Sequence, residues 1–326
     1  MGRGVRGRRA ATTAALLAAT MTAALAAGCT GGSGSGDDGR GSPSASKPGT
    51  SPSATGGSVL AVKIDNAPAA RPPTGVDAAD VVYAEQVEGG LSRLMAVYAT
   101  RLPKAVGPVR SARESDLELL RQFDRPTLAF SGAQKKLLPL IDKAPLKTET
   151  PGNAADAYFR ASDRQAPHNL YLRPGKVMPD PPGEAALTTG FHYGSAPAGG
   201  TATASQTVRY PAARFTFTWS QTRDRWLVGM DGTPATTADG KRMAAATVVV
   251  QYVKVRQSAF RDFLGNSTPY TETVGSGKAK VLRDGRAYDV DWKREKAMDG
   301  TAFTTGDGTP VNFAKGQVWV VYAEAP

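Results

Sequence analysis

Two guanidiniums and a hydroxyl stand within four residues in the run VGPVRSARE: Arg110, Ser111 and Arg113. Such a donor set suits a phosphate or a carboxylate. A second cluster, His168 and Asn169, lies in APHNLY. Since the chain has two histidines, proton transfer near neutral pH must use His168, His192 or a carboxylate. Asp65, Glu85 and Glu88 are candidate orienting acids, and Ser111 and Ser131 candidate nucleophiles. Each cluster also has a structural reading. Ser111 and Glu114 have the spacing of a capping box, and Arg113 could pair with Glu88 or Asp116 in place of a ligand. His168-Asn169 could cap a turn. Cofactor and metal signals are missing: there is no HExxH, second cysteine, GxGxxG after a strand or phosphate-binding P-loop. Phe130-Ser131-Gly132 lacks the first glycine of a hydrolase elbow. No cofactor and no metal are therefore predicted.

The elements that must position these residues alternate at first between strand and helix. VLAVKI (59–64) is a β-branched run with a single Lys, and VVYAEQV (81–87) and LSRLMAVYA (91–99) flank Glu88-Gly89-Gly90 as a hairpin. VGPVR (106–110) reads as a strand whose last residue is Arg110, leading into a helix that Ser111 caps. TLAFSG followed by AQKKLLPLI repeats strand, turn and helix, with Pro139 expected to kink or end the second helix. In such sheets ligands collect at the carboxyl ends of strands, where Arg110, Arg113 and Ser131 are expected. After a Pro/Gly-rich stretch over 174–204, with room for one strand near Phe191, the runs become short and β-branched. Five Asp-Gly pairs, at 231, 239, 284, 299 and 307, mark tight turns. The predicted fold class is α+β: a mixed α/β domain over 58–173, a connection over 174–204, and a mainly antiparallel all-β domain over 205–326.

The N-terminus supplies an address. Arg3, Arg6, Arg8 and Arg9 precede a weakly apolar Ala/Leu/Thr stretch, and Leu25-Ala26-Ala27-Gly28-Cys29 resembles a lipobox. This predicts a lipoprotein signal peptide over 1–28, cleavage before Cys29 and lipid on that cysteine, the only one in the chain. A plain signal peptide beside an incidental thiol and an uncleaved anchor helix are the competing readings. Residues 29–57 form a Gly/Ser/Pro tether with a reach on the order of 30 Å. The expected partner is the cell membrane, on its extracytoplasmic face, through Cys29. Loss of four arginines and no acid with the signal peptide lowers the formal net charge from +11 to +7. That balance favours an anionic cell-wall polymer or an envelope protein as a further partner, and an exported chain with no aromatic-basic stripe argues against nucleic acid.

Three ordered blocks carry a family likeness. VKIDNAPAARPPTGVDAADVVYAEQVEGGLSRL, then VGPVRSARE, then APHNLY resemble successive blocks of the YerB-like bacterial lipoproteins, and GRAYDVDWKRE with GTPVNFAKGQVWVV is similar to that family's second domain. Pro73-Thr74 departs from the family's Gln-Ser pair. The resemblance implies a two-domain envelope lipoprotein and leaves its biochemical activity open. The ligand-binding candidates within its blocks are Asp65, Asn66, Arg71, Glu88, Arg110, Ser111, Arg113, His168 and Asn169. A lipid-tethered binding or accessory protein is the first functional reading. An envelope hydrolase or transferase, with His168 as general base and Arg110 and Arg113 clamping an anionic substrate, is the alternative; a purely structural interaction module is the third.

Overall fold

The computed structural model describes residues 58–262 and 265–325. The predicted signal peptide, the predicted lipidation site Cys29 and the predicted tether over 29–57 lie outside the described residues. Among the described residues no helix is long and apolar enough to cross a membrane.

One mixed sheet organises the described chain. Its strands are β1 (Leu60–Asp65), β2 (Val81–Gln86), β3 (Ser92–Tyr98), β4 (Thr127–Ala129), β5 (Lys147–Glu149), β6 (Thr247–Val253), β7 (Gly275–Arg283), β8 (Arg286–Arg294), β9 (Ala302–Thr304) and β10 (Val318–Glu324). They run side by side in the order β9-β8-β7-β6-β10-β2-β3-β1-β4-β5, with Thr201–Ala202 beside β8. Residues from both sides of the 174–204 stretch therefore share one sheet. The join is β10, parallel to β2 on one side and to β6 on the other, so that Val318 faces both Val81 and Thr247.

Continuous apolar runs such as VLAVKI and VWVVYA occur because this sheet is covered on both faces. On one face Val62, Ile64, Leu94 and Trp319 meet Phe215, Phe217, Trp226 and Val228 of a smaller antiparallel sheet built from Ser205–Tyr210, Ala213–Ser220 and Arg225–Met230. On the other, Ala61, Tyr83, Met95 and Val320 are covered by Leu119, Leu120 and Phe123, from helix α1 (Glu114–Leu120) and the turn after it. Each fully buried side chain of this size contributes about 1.5–3 kcal/mol. Polar contacts fasten α1 to the second half of the chain. The Glu118 carboxylate accepts from the Thr273 and Val274 amides and the Tyr270 hydroxyl, while buried Arg294 donates to the Glu118 and Leu119 carbonyls at the helix end.

Local details correct several expectations. The hairpin at Glu88-Gly89-Gly90 forms as read, with Val81 paired to Val97. The Ser111/Glu114 box does not form. The 110–112 backbone is instead held extended against the next turn, by Ser131 N–H to Arg110 C=O and Ala112 N–H to Gly132 C=O. The helix consequently starts later, with Arg113 as N-cap and the Asp116 carboxylate accepting the Arg113 N–H at 2.7 Å. Pro139 lies in the first turn of α2 (Leu138–Lys143), where its missing N–H costs nothing, so it opens that helix and does not end it. VGPVR pairs only through isolated bridges, Val106 with Leu172, Gly107 with Thr74 and Val109 with Ile64. Around Phe191 the pairing is a single bridge from Tyr193 to Phe313. At Asp231-Gly232 and Asp284-Gly285 both residues take left-handed φ, the requirement of a two-residue hairpin. Gly240 and Gly308 close small turns. Gly300 has another cause: a Cβ there would lie 2.4 Å from the Gly190 nitrogen, where two backbones cross.

Candidate functional site

The carboxyl ends of β1, β2 and β4 point the same way, and the predicted site residues gather along that edge. Asp65, the last residue of β1, is 4% exposed. Its Oδ2 accepts from His168 Nδ1 at 2.9 Å and lies 3.2 Å from Arg110 Nε, while Oδ1 accepts the Ala67 amide at 3.1 Å. Two cationic or polar side chains from distant segments thus share one carboxylate oxygen. Arg110 is brought there by its amide, which donates to the Lys63 carbonyl, and His168 by a turn closed on the Gln165 carbonyl. The short pair Tyr158–Arg160 and Leu170–Leu172 supports that turn. Gly107 permits the close approach: a Cβ there would meet Tyr171 Cδ1 at 2.7 Å. Both His168 and Arg110 keep about a quarter of their side chains exposed, at 24% and 25%.

A second group forms around Glu88. Arg113 binds its carboxylate through both oxygens, at 2.6 and 2.7 Å, and the Thr268 hydroxyl adds a bond of 2.6 Å. Burial alone would raise the Glu88 carboxyl, but the Arg113 hydrogen bonds and charge, followed by Thr268 and Arg93, hold it at about 2. Arg113 is therefore committed to Glu88 and does not join Arg110 on one anion beside the helix. The first turn of α1 already carries Glu114 and Asp116 to offset its dipole. Ser111 lies between the two groups, its Oγ 3.4 Å from Ser131 Oγ. Along this side a cleft of about 520 Å³ is lined by Ser111, Arg113, Gln134, Lys135, Phe260 and Thr268, among others.

Two profiles of known families match the chain: "Protein of unknown function (DUF3048) N-terminal domain" over residues 46–185 and its C-terminal domain over 206–320. The chain belongs to this family. Among relatives of the DUF3048 family, YerB, a candidate lipoprotein of Bacillus subtilis (strain 168), is 24% identical over 289 residues, covering 80% of each chain. The crystal structure of the Bacillus subtilis YerB protein superimposes with a TM-score of 0.68 at 21% identity, over 84% of this chain and 93% of that one, and so shows a shared fold. The likeness read from the IDN, GPVRSAR and PHNLY blocks is borne out.

The remaining DUF3048 block residues act as supports. Asn66 donates to Ser92 Oγ at 2.9 Å, and Arg71 reaches from Asn66 to Asp231, tying β1 to the smaller sheet. Asn169 accepts from Arg160 and donates to the Ala161 and Arg164 carbonyls, shaping the turn that presents His168. His192 lies apart, its carbonyl accepting the Phe313 amide. Two residues, Arg93 and Lys63, escaped the sequence reading. Arg93, in register with both Asp65 and Glu85, donates to the Ser111 carbonyl at 3.1 Å; burial, then the Arg113 charge, pull it down to about 10. Lys63, fully buried, bonds Glu85 and, at 2.6 Å, Asp116. Burial would raise Glu85, yet Lys63 holds it below its usual value, whereas burial and the Glu85 charge push Asp116 up to about 6 against the Lys63 pull. The signal for Lys63 was its isolation in an apolar strand; Asp116 was legible only as a candidate partner of Arg113, whose N–H it does accept.

Proposed function

We propose that this protein is a lipid-tethered, extracytoplasmic binding protein of the cell envelope, and that Arg110 and His168 receive an anionic group of its ligand. The address follows from the lipobox at Cys29 and from the relative named as a candidate lipoprotein. The observation that carries the site is the sharing of one buried Asp65 oxygen by Arg110 Nε and His168 Nδ1. With Nε and Nδ1 engaged by Asp65, the Arg110 terminal nitrogens and His168 Nε2 have no partner among the described residues and are left for a ligand. A charge-assisted bond to each is worth about 1.5–3 kcal/mol. Titration with inorganic phosphate and with acidic wall fragments, followed by calorimetry, tests the reading. Arg110→Gln should weaken binding roughly tenfold or more, and salt should weaken the wild type more than the variant. Equal affinity in both proteins would refute it.

A catalytic reading has one specific observation in its favour, the carboxylate behind His168. Asp65 would orient the imidazole as a general base in the manner of a triad's acid. Ser111, next in sequence to Arg110, is its candidate nucleophile. Labelling of Ser111 by a fluorophosphonate probe, abolished by His168→Gln, would favour turnover over binding.

A further inference from the structure

We infer that the α2 face is a second contact with the membrane, made by the protein itself on an anionic headgroup surface. The inference rests on the lipid-anchor reading above. Helix α2 has more apolar residues than the core uses. Leu137 and Ile141 point inward, at 2% and 1% exposure, while Leu138 and Leu140 stand 38% and 43% exposed on either side of exposed Pro139. Among the described residues the other exposed large hydrophobic side chain is Met298. Lys135, Lys136 and Lys143 surround the leucines, are exposed, and make no ion pair or side-chain hydrogen bond among the described residues; Asp142 is the single acid from 131 to 147. Exposed leucines ringed by unpaired lysines are the chemistry of a helix that lies in an anionic lipid interface.

The point where the tether joins the fold supplies a second argument. Leu60, two residues after Ser58, is in register with Thr127, and Thr127 with Lys147, the first residue of edge strand β5 that follows α2. The segment from Lys143 to Lys147 thus lies at the sheet end where the tether enters. The tether expected over 29–57 has an average reach on the order of 30 Å by random-coil scaling, and tethering turns a weak contact into an effectively intramolecular one.

The test uses the lipid-bearing protein on vesicles of phosphatidylcholine, with or without phosphatidylglycerol, and reads backbone hydrogen exchange. Amides of 136–143, Pro139 apart, should exchange about tenfold more slowly on the anionic vesicles. High salt or Leu138→Ser/Leu140→Ser should remove that protection, and unchanged exchange in β1 shows that the variant is folded. Attached protein that exchanges equally on both vesicles overturns the inference. Failure to float with neutral vesicles refutes the anchor instead. In that event, protection of 136–143 on anionic vesicles still supports the α2 contact, and its absence overturns it.

Discussion

Replacing Arg113 by Gln removes both guanidinium bonds to Glu88 and leaves a carboxylate of 8% side-chain exposure with the Thr268 hydroxyl and with Arg93, which is 3.9 Å away. Breaking one partner of a buried pair costs about 3–5 kcal/mol. The depressed Glu88 carboxyl points the same way. It is held at about 2 against an ordinary 4.5, first by Arg113 and then by Thr268 and Arg93, and at roughly 1.4 kcal/mol per pH unit the whole shift corresponds to about 3.5 kcal/mol. Because the folded value is depressed, this stabilisation is present above pH 4.5 and is lost as pH falls toward 2. Urea unfolding followed by tryptophan fluorescence should therefore show the variant about 3 kcal/mol less stable at pH 7, with the gap narrowing to about half at pH 3. An unchanged midpoint at both pH values would refute internal pairing and return Arg113 to the ligand.

Further outcomes test the rest of the structure. Cys29→Ser should move the protein from the membrane fraction to the medium or accumulate an unprocessed precursor, which fractionation with mass spectrometry checks. Gly90→Ala should destabilise by about 1–3 kcal/mol in thermal unfolding, because Gly90 has φ of +70° and a Cβ there would lie 2.6 Å from Pro211 Cβ. Asp116→Asn should flatten a component of the pH profile. With the folded carboxyl raised from 3.8 to about 6, its stabilisation is complete below 3.8 and fades as pH rises through 6, so melting temperatures of variant and wild type should diverge in the variant's favour over that interval.

Much of the first half was legible because its signals are local. β-branched runs and a Glu-Gly-Gly hairpin act through the backbone of a few neighbouring residues and recur in the structure, as do the Asp-Gly turns at 231 and 284 in the second half. The failures have two causes. Ser111 was assigned by spacing alone, and extended pairing with Ser131 and Gly132, a contact across the chain, overrode the capping preference. Strand period, moreover, says which face a residue occupies and nothing about which strand lies alongside; VWVVYA reads the same whether it closes a separate β domain or enters a sheet begun by VLAVKI. For the site, residue types pointed to Asp65, Arg110 and His168 as candidates and left Arg113 open between a ligand and Glu88; the Thr268 hydroxyl that joins Glu88 comes from a segment far along the chain and had no local signal.

The position of β10 also bears on when the protein can fold. Strand Val318–Glu324 fills the centre of the sheet, between a partner that begins at Val81 and another that begins at Thr247. Until it arrives, β2 and β6 have no common neighbour and the first half presents an open hydrogen-bonding edge. Closure of the sheet therefore waits until Val318–Glu324 has been made, and the long separation between paired strands makes it slow. Under the envelope address proposed above, that delay leaves the chain unclosed for longer while it is being exported.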